Sequence, residues 1–325
     1  MLPTDDEILG RFFSPLVEDL KAFEHEFKSK PVLLAHYTSL EAFESIVKNN
    51  EIWFSNPLFM NDLEEVKFGI FSGINAAKTS AAIKKALSPA QYEQFNRHLD
   101  AYFQQFEKDH VFDTYVFGAS RHDPSDTDGK LSMWRGYGGN AKGVAIVFDT
   151  ANMNIADEVR PLIVSKVFYG TVEERSKYLT GYCDKIATIF ASSPLPDAKL
   201  HLATWALFDR IKLFALFTKH RGFAEEEEWR VVYMRDRDKD KKFDPMFSYV
   251  IGSQGVEPKL KLKVAPLAGI LADDLSLEKI VHSIILGPSA SSALALASVK
   301  RMLNLLGRPE LAARVSGSTT PLRIK

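Results

Sequence analysis

LLAHYTSLEAFESIVKNNEIWFSNPLFMND, residues 33–62, is the stretch whose reading decides the fold. Val32 to His36 is a short apolar run that reads as a strand. Thr38, with Glu41 three residues on, matches a capping box, so a helix is expected to start at Thr38. Phe43, Ile46 and Val47 recur at helical spacing, and Asn49-Asn50 ends the helix. Glu51 to Ser55 is then a second strand. Asn56-Pro57 stops it, because a residue before proline is pushed to extended geometry and proline cannot donate to a ladder. The stretch is strand, helix, strand. His36, Tyr37 and Thr38 lie at one polar tip; Trp53, Ser55 and Asn56 lie at the other, with Asn61 and Asp62 following.

Outward from this unit, Asp5 to Lys28 has helical periodicity, with Pro15 placed to break or kink it. Residues 63–108 read as a helical insertion in which Ser88-Pro89 caps a second helix. Thr114 to Ser120 is a strand that leads into an Asp-rich loop. Leu131 to Tyr137 is a short helix, Gly138-Gly139-Asn140 a turn and Gly143 to Phe148 a strand. Ile163 to Gly170 alternates as one strand. Val172 to Phe190 and Lys199 to Lys219 form a second helical layer over residues 172–219. Strands follow at Glu227 to Met234, Met246 to Ile251, Leu260 to Val264 and Ile280 to Leu286, and the charged run Arg235 to Lys242 reads as a solvated hairpin tip. Strands and helices intermingle without strict alternation. The expectation is an α+β fold, a central mixed or antiparallel sheet with helical insertions in a single large domain over residues 1–325.

Composition narrows the function classes. Lys plus Arg is 41 against 42 Asp plus Glu, so the chain is no general polyanion coat or polybasic membrane binder. The single cysteine, Cys183, excludes a disulfide framework or a Cys-based zinc site and points to a reducing, cytoplasmic setting. It sits in an apolar helical run and reads as a small buried hydrophobe. MLPTDDEILGRFF has no basic segment ahead of a long apolar core, so no signal peptide is expected. No His-Glu-x-x-His zinc motif, Gly-x-Ser-x-Gly elbow, phosphate loop or dinucleotide fingerprint occurs.

Candidate site residues come from a few places. His36 is either a ligand-binding residue or a core histidine bonded to a nearby carbonyl. Tyr37 alternates to the opposite face and reads as core, whereas Ser39 lies at a helix start whose amides suit an anion. In a period-2 strand Glu226, Glu228 and Arg230 share one face. Glu228 either lines a cleft or is simply paired to Arg230 or Arg221. Trp134 and Tyr137 either stack a base or anchor the core beside a turn. Arg121 is a phosphate candidate. Gly287-Pro288-Ser289 opens a helix and reads either as an anion site or as a plain strand-to-helix turn.

Taken together, HYTS (36–39), WFSNP (53–57), MND (60–62), MWRGYG (133–138), KGVAIVFD (142–149), KH (219–220), the Phe-x-x-Glu-x-Glu-Trp-Arg pattern (223–230) and ILGP (285–288) resemble bacterial domain-of-unknown-function family 2971 over roughly Leu33 to Arg323. That family name carries no activity. The opening strand–helix–strand also resembles the start of the ADP-ribosyltransferase-like superfamily, although Tyr37 follows His36 where the superfamily has glycine. This second resemblance implies His36 as the ribose-binding histidine, Glu228 as the late catalytic glutamate, Glu226 as the upstream member of a Glu-x-Glu pair, and Tyr137 or Trp53 as the stacking aromatic.

Cleavage of an N-glycosidic bond passes through an oxocarbenium-like state. A carboxylate near the sugar and an aromatic surface for the base are sufficient, with no metal. The expectation is therefore a protein that binds NAD (as substrate) or a related nucleotide and uses ADP-ribosyltransferase-like chemistry, in the role of a toxin or phage-defence effector. Glu228, His36 and Glu226 are the catalytic candidates. Ser39, Trp53, Ser55, Arg121, Trp134, Tyr137 and Arg230 are the nucleotide-binding candidates. The alternatives are a nucleobase N-glycosidase acting on DNA or RNA, favoured by a basic channel near Arg121, Arg135 and Lys142, and a non-catalytic module that senses a nucleotide or a protein.

Overall fold

The computed structural model describes residues 4–60, 63–110, 113–153, 161–252, 255–267 and 271–321. Asn61 and Asp62, at the end of the opening stretch, lie outside the described residues. The chain divides into two compact units. One comprises Met1–Glu24, Pro57–Thr114 and Val167–Ala224; the other comprises His25–Asn56, Tyr115–Lys166 and Glu225–Lys325.

The strands are β1 Leu33–Thr38, β2 Glu51–Ser55, β3 Thr114–His122, β4 Val144–Asp149, β5 Leu162–Lys166 and β6 Phe168–Gly170. They continue with β7 Thr218–His220, β8 Glu228–Met234, β9 Phe247–Gly252, β10 Gly255–Lys263, β11 Val281–Leu286 and β12 Val315–Gly317. Ten of them form one sheet in the order β12-β11-β4-β1-β3-β2-β10-β9, with β8 paired to β3 and β5 to β8. The β11–β12 pair is parallel, and β1–β3, β1–β4, β2–β10 and β5–β8 are antiparallel. The fold is α+β with a mixed, mostly antiparallel sheet, as the intermingled elements led us to expect.

This sheet is buried on both faces where it carries β1 and β4. Leu34 packs with Ile146, Phe148 and Phe117 in the larger core, which the helix Leu40–Asn49 covers with Phe43, Ile46 and Val47. Ala35 and Tyr37 point the other way, into a smaller cluster with Val147, Met133 and Trp134. Alternation of side chains along a strand produces this division.

The opening unit has the expected order but a different cap. Thr38 belongs to β1, where it pairs with Val144. Ser39 is the N-cap, its Oγ accepting from the Ala42 N–H at 3.1 Å. The ladder holds Thr38 in extended geometry and moves the cap one residue on. Ser39→Ala is accordingly expected to cost about 1 kcal/mol in urea unfolding. Thr38→Val, which keeps a β-branched residue in the strand, should cost clearly less.

The helical unit contains Asp5–Phe13, Leu63–Thr79, Ala81–Ala86, Pro89–Gln105, Val172–Ser192 and Leu200–Leu216. The predicted N-terminal helix is interrupted at Pro15 by a 3-10 turn, Ser14–Leu16. Ser88 caps its helix in a full capping box with Gln91. Two predicted elements differ. The helix expected over Lys199 to Lys219 ends at Leu216, and Thr218–His220 pairs in parallel with Phe168–Gly170. The strand expected over Ile163 to Gly170 is two strands, because the chain passes from one unit to the other between Lys166 and Val167.

Charged groups are buried along Leu200–Leu216. Arg210 donates from Nε to the Leu16 carbonyl at 2.6 Å and from Nη2 to Asp19 at 2.6 Å. Cys183 is buried, and burial pushes its thiol up to about 12, so it is protonated at neutral pH. The charged tip at 235–242 is also less solvated than its sequence suggests. Asp238 is buried and accepts from the Tyr233 hydroxyl, the Lys242 N–H and the Phe243 N–H, which closes the turn from inside.

Candidate functional site

The candidate residues in the sheet-bearing unit gather around Gly118 on β3. β1 pairs with β3 through Ala35↔Ser120, and one residue on, the His36 Nδ1 lies 3.0 Å from the Gly118 carbonyl oxygen. A carbonyl only accepts, so Nδ1 carries the proton and neutral His36 presents Nε2 as an acceptor. The ring packs against Phe117 with centroids 4.7 Å apart. Burial pushes the His36 pKa below its ordinary 6.5, and the Gly118 carbonyl opposes that shift.

The sign of the resulting pH dependence follows directly. The unfolded state binds the proton more readily, so stability rises with pH. His36 contributes fully above about pH 6.5, and its contribution falls as pH drops from there through the folded-state value. The melting temperature of the wild type should therefore fall more steeply between pH 7 and pH 5 than that of His36→Gln. Coincident slopes would show that His36 does not carry this proton linkage.

Glu228 reaches Gly118 from the other side. A Cβ on Gly118 would overlap the Glu228 carboxylate, whose Cδ would lie 3.4 Å away. Phe117 points into the larger core, so alternation puts the Gly118 Cα hydrogen and Glu228 on the opposite face. His36 shares its face with Ile146, its partner on β4, in that core. The histidine and the glutamate thus meet the same residue from two faces of one sheet. They do not line one wall.

Glu226, Glu227 and Glu228 each have a partner. Glu228 accepts from Arg230 Nε at 3.0 Å and from Arg230 Nη2 at 3.1 Å, a bidentate pair with Arg230 1% and Glu228 8% exposed. Glu226 accepts from the Tyr137 hydroxyl at 2.9 Å. Its backbone carbonyl accepts from Ser120 Oγ at 2.5 Å. Glu227 pairs with Lys130 at 2.5 Å, and its carbonyl accepts from the Arg121 N–H at 3.0 Å. Glu227 has φ +42°, a left-handed conformation that a residue with a side chain rarely adopts. This kink sets Glu226 outside the pleat, so β8 begins at Glu228 rather than at Glu227.

The remaining candidates separate by face. Ser55 pairs with Val116, which places Ser55 and Trp53 on the same face as Gly118 and Glu228. Trp53 donates from Nε1 to Glu51 at 3.1 Å and lies beneath the Lys261 ammonium at 4.7 Å. Ser55 accepts from Lys259 at 2.8 Å. Trp134 is fully buried, edge-on to Tyr37 at 4.8 Å, and donates to the Asp128 carbonyl, so it is a core anchor. Tyr37 is core as expected; its hydroxyl accepts from the Lys130 N–H, and burial pushes its pKa up to about 12. Tyr137 is 37% exposed. The Arg121 side chain is exposed. Ser39 is occupied as the helix cap.

Gly287-Pro288-Ser289 is a packing turn. The Gly287 N–H donates to the Gly143 carbonyl at 2.9 Å and the Ser289 N–H to the Ala141 carbonyl at 3.0 Å, so these amides do not face an anion. The packing explains why the sequence pairs GYGGNAKG with ILGP: Gly139, Asn140 and Ala141 run through three left-handed conformations against that turn. The role of Gly118 was missed by sequence reading. A glycine inside the strand TYVFGAS was its only signal, marking a close approach.

A family model described as a protein of unknown function (DUF2971) matches residues 133–231. The similarity takes in Trp134, Tyr137, Glu226, Glu228 and Arg230, while the opening strand–helix–strand lies outside the matched residues. No curated protein and no solved structure matches the chain. Among the described residues no group of three or more His, Cys, Asp or Glu could hold a metal ion. No described helix is long and apolar enough to cross a membrane.

Proposed function

We propose a nucleotide-binding protein that acts on an N-glycosidic bond, with NAD as the leading substrate and Glu226 and Glu228 as the working acids. The observation that carries this reading is the partly exposed Tyr137, held by its hydroxyl against the buried Glu226 carboxylate. A base stacked on that ring would place its glycosidic carbon beside a carboxylate in a partly dry setting, where negative charge stabilises an oxocarbenium-like state most strongly. Arg230 holds the Glu228 carboxylate in a fixed orientation through two hydrogen bonds. His36 becomes a positioning residue behind β3, acting through the Gly118 carbonyl.

The test is nicotinamide release from NAD, alone and with cell extract, DNA or RNA as acceptor. Glu226→Gln and Tyr137→Leu should lose about a hundredfold or more, and Tyr137→Phe less, because it keeps the ring. No release, no modified acceptor and no NAD binding would sink the proposal.

A specific observation favours a second reading. Glu226, Glu227 and Glu228 are each already partnered, and the bidentate Glu228–Arg230 pair suits a fixed recognition element. A non-catalytic nucleotide sensor would bind NAD in a titration, release no nicotinamide, and tolerate Tyr137→Phe.

A further inference from the structure

The helical unit contains a cavity of about 310 Å³, lined by none of the candidate residues named above. That is the lower end of the roughly 300–1,000 Å³ range of small-molecule pockets. Val66 and Ile70 from Leu63–Thr79 and Leu216 from Leu200–Leu216 form the aliphatic wall. Phe71, Phe103 and Phe106 form an aromatic one, with Phe71 and Phe103 edge-to-face at 5.4 Å.

Two further observations point to a ligand. The helix Pro89–Gln105 passes into a π-helical turn, Phe106–His110, where Phe106 and Glu107 reach the cavity. Such turns cost regular hydrogen bonding and occur often at functional sites. Lys212, which is 7% exposed, also lines the cavity and pairs with the fully buried Asp209 at 3.1 Å. A buried ion pair in an apolar wall is a poor source of stability, which leaves specificity as a reason to keep it.

The charges decide the ligand class. Lys212 is balanced by Asp209, and Lys67, the other lysine among the described lining residues, by Glu64 at 3.1 Å. Glu107 adds a carboxylate at the rim. An anion would lose its hydration and gain no uncompensated positive charge. We infer that this cavity binds a neutral aromatic molecule of one or two fused rings, stacked edge-to-face with Phe71 and Phe103 and lying beside the Lys212–Asp209 pair.

The experiment is calorimetric titration of the full chain with indole, a neutral bicyclic probe, and with 2-naphthoate, its charged counterpart. Indole should bind saturably, and 2-naphthoate about tenfold or more weaker. Ile70→Trp, which fills the cavity, should abolish indole binding with unchanged circular dichroism. Phe71 is 53% exposed, so Phe71→Ala will fold even if the filled variant does not, and it should weaken indole about tenfold. Absence of saturable indole binding, naphthoate binding at equal or higher affinity, or indole binding unaffected by Phe71→Ala would each overturn the assignment.

Discussion

The double substitution Glu228→Gln with Arg230→Met is expected to recover most of the stability that Glu228→Gln alone loses, while recovering no nicotinamide release. Both side chains are almost fully buried, and two hydrogen bonds join them. Neutralising the carboxylate removes the charge that the Glu228 oxygens set against the buried guanidinium and leaves an amide in its place. Breaking a buried pair from one side typically costs about 3–5 kcal/mol. Replacing both members with neutral groups of similar volume is often nearly neutral, since neither charge then has to be desolvated. The gap between the double variant and the sum of the singles is the coupling energy, and denaturant unfolding of all four proteins measures it. Activity separates what stability cannot. If the Glu228 carboxylate stabilises the reacting sugar, the double variant folds well and stays inactive. If it recovers turnover, Glu228 is a structural ion and the catalytic role moves to Glu226 alone.

The same pair shows what the sequence could and could not convey. Period-2 spacing correctly set Glu228 beside Arg230, and Trp229 between them packs in the core. It also extended the pattern back to Glu226, which fails because Glu227 leaves the pleat with φ +42°. Nothing in a run of four glutamates marks which one will be left-handed. The strand–helix–strand from Leu33 to Ser55 was legible because its apolar spacing changes from two to three-and-four and back at Asn and Pro signals. Its functional face was not. Alternation separates His36 from Tyr37 but cannot say which lies toward a site when both faces of the sheet bury apolar residues. The β6–β7 pairing joins segments some fifty residues apart, and three-residue strands leave too little pattern to recognise.

Gly143→Ala is the single methyl group expected to do the most damage. Its Cβ would overlap the Thr38 carbonyl oxygen and stand 2.8 Å from that of Gly138. Both neighbours are backbone, so neither can rotate away as a side-chain end would. The Gly143 carbonyl also accepts from Gly287, and the Gly143 N–H donates to Gly138, which ties the turn on two sides. Relief would have to come from β1 shifting against β4, and Thr38 lies at the end of that ladder, next to the Ser39 cap. Overpacking costs typically about 1–3 kcal/mol and more where nothing can yield, so a loss of about 3 kcal/mol or above is expected. Gly136→Ala provides the control seven residues earlier. No heavy atom lies within 4 Å of a Cβ there, and the residue ends the helix Leu131–Gly136. Alanine at that position should be neutral or stabilising by up to about 1 kcal/mol, because it only restricts the unfolded chain. Urea unfolding of the two variants therefore tests whether the left-handed turn at 139–141 is held by contact with β1 or merely tolerated beside it. Similar stabilities would mean that the turn can move away, and that the close packing of GYGGNAKG on ILGP is not what fixes this end of the sheet.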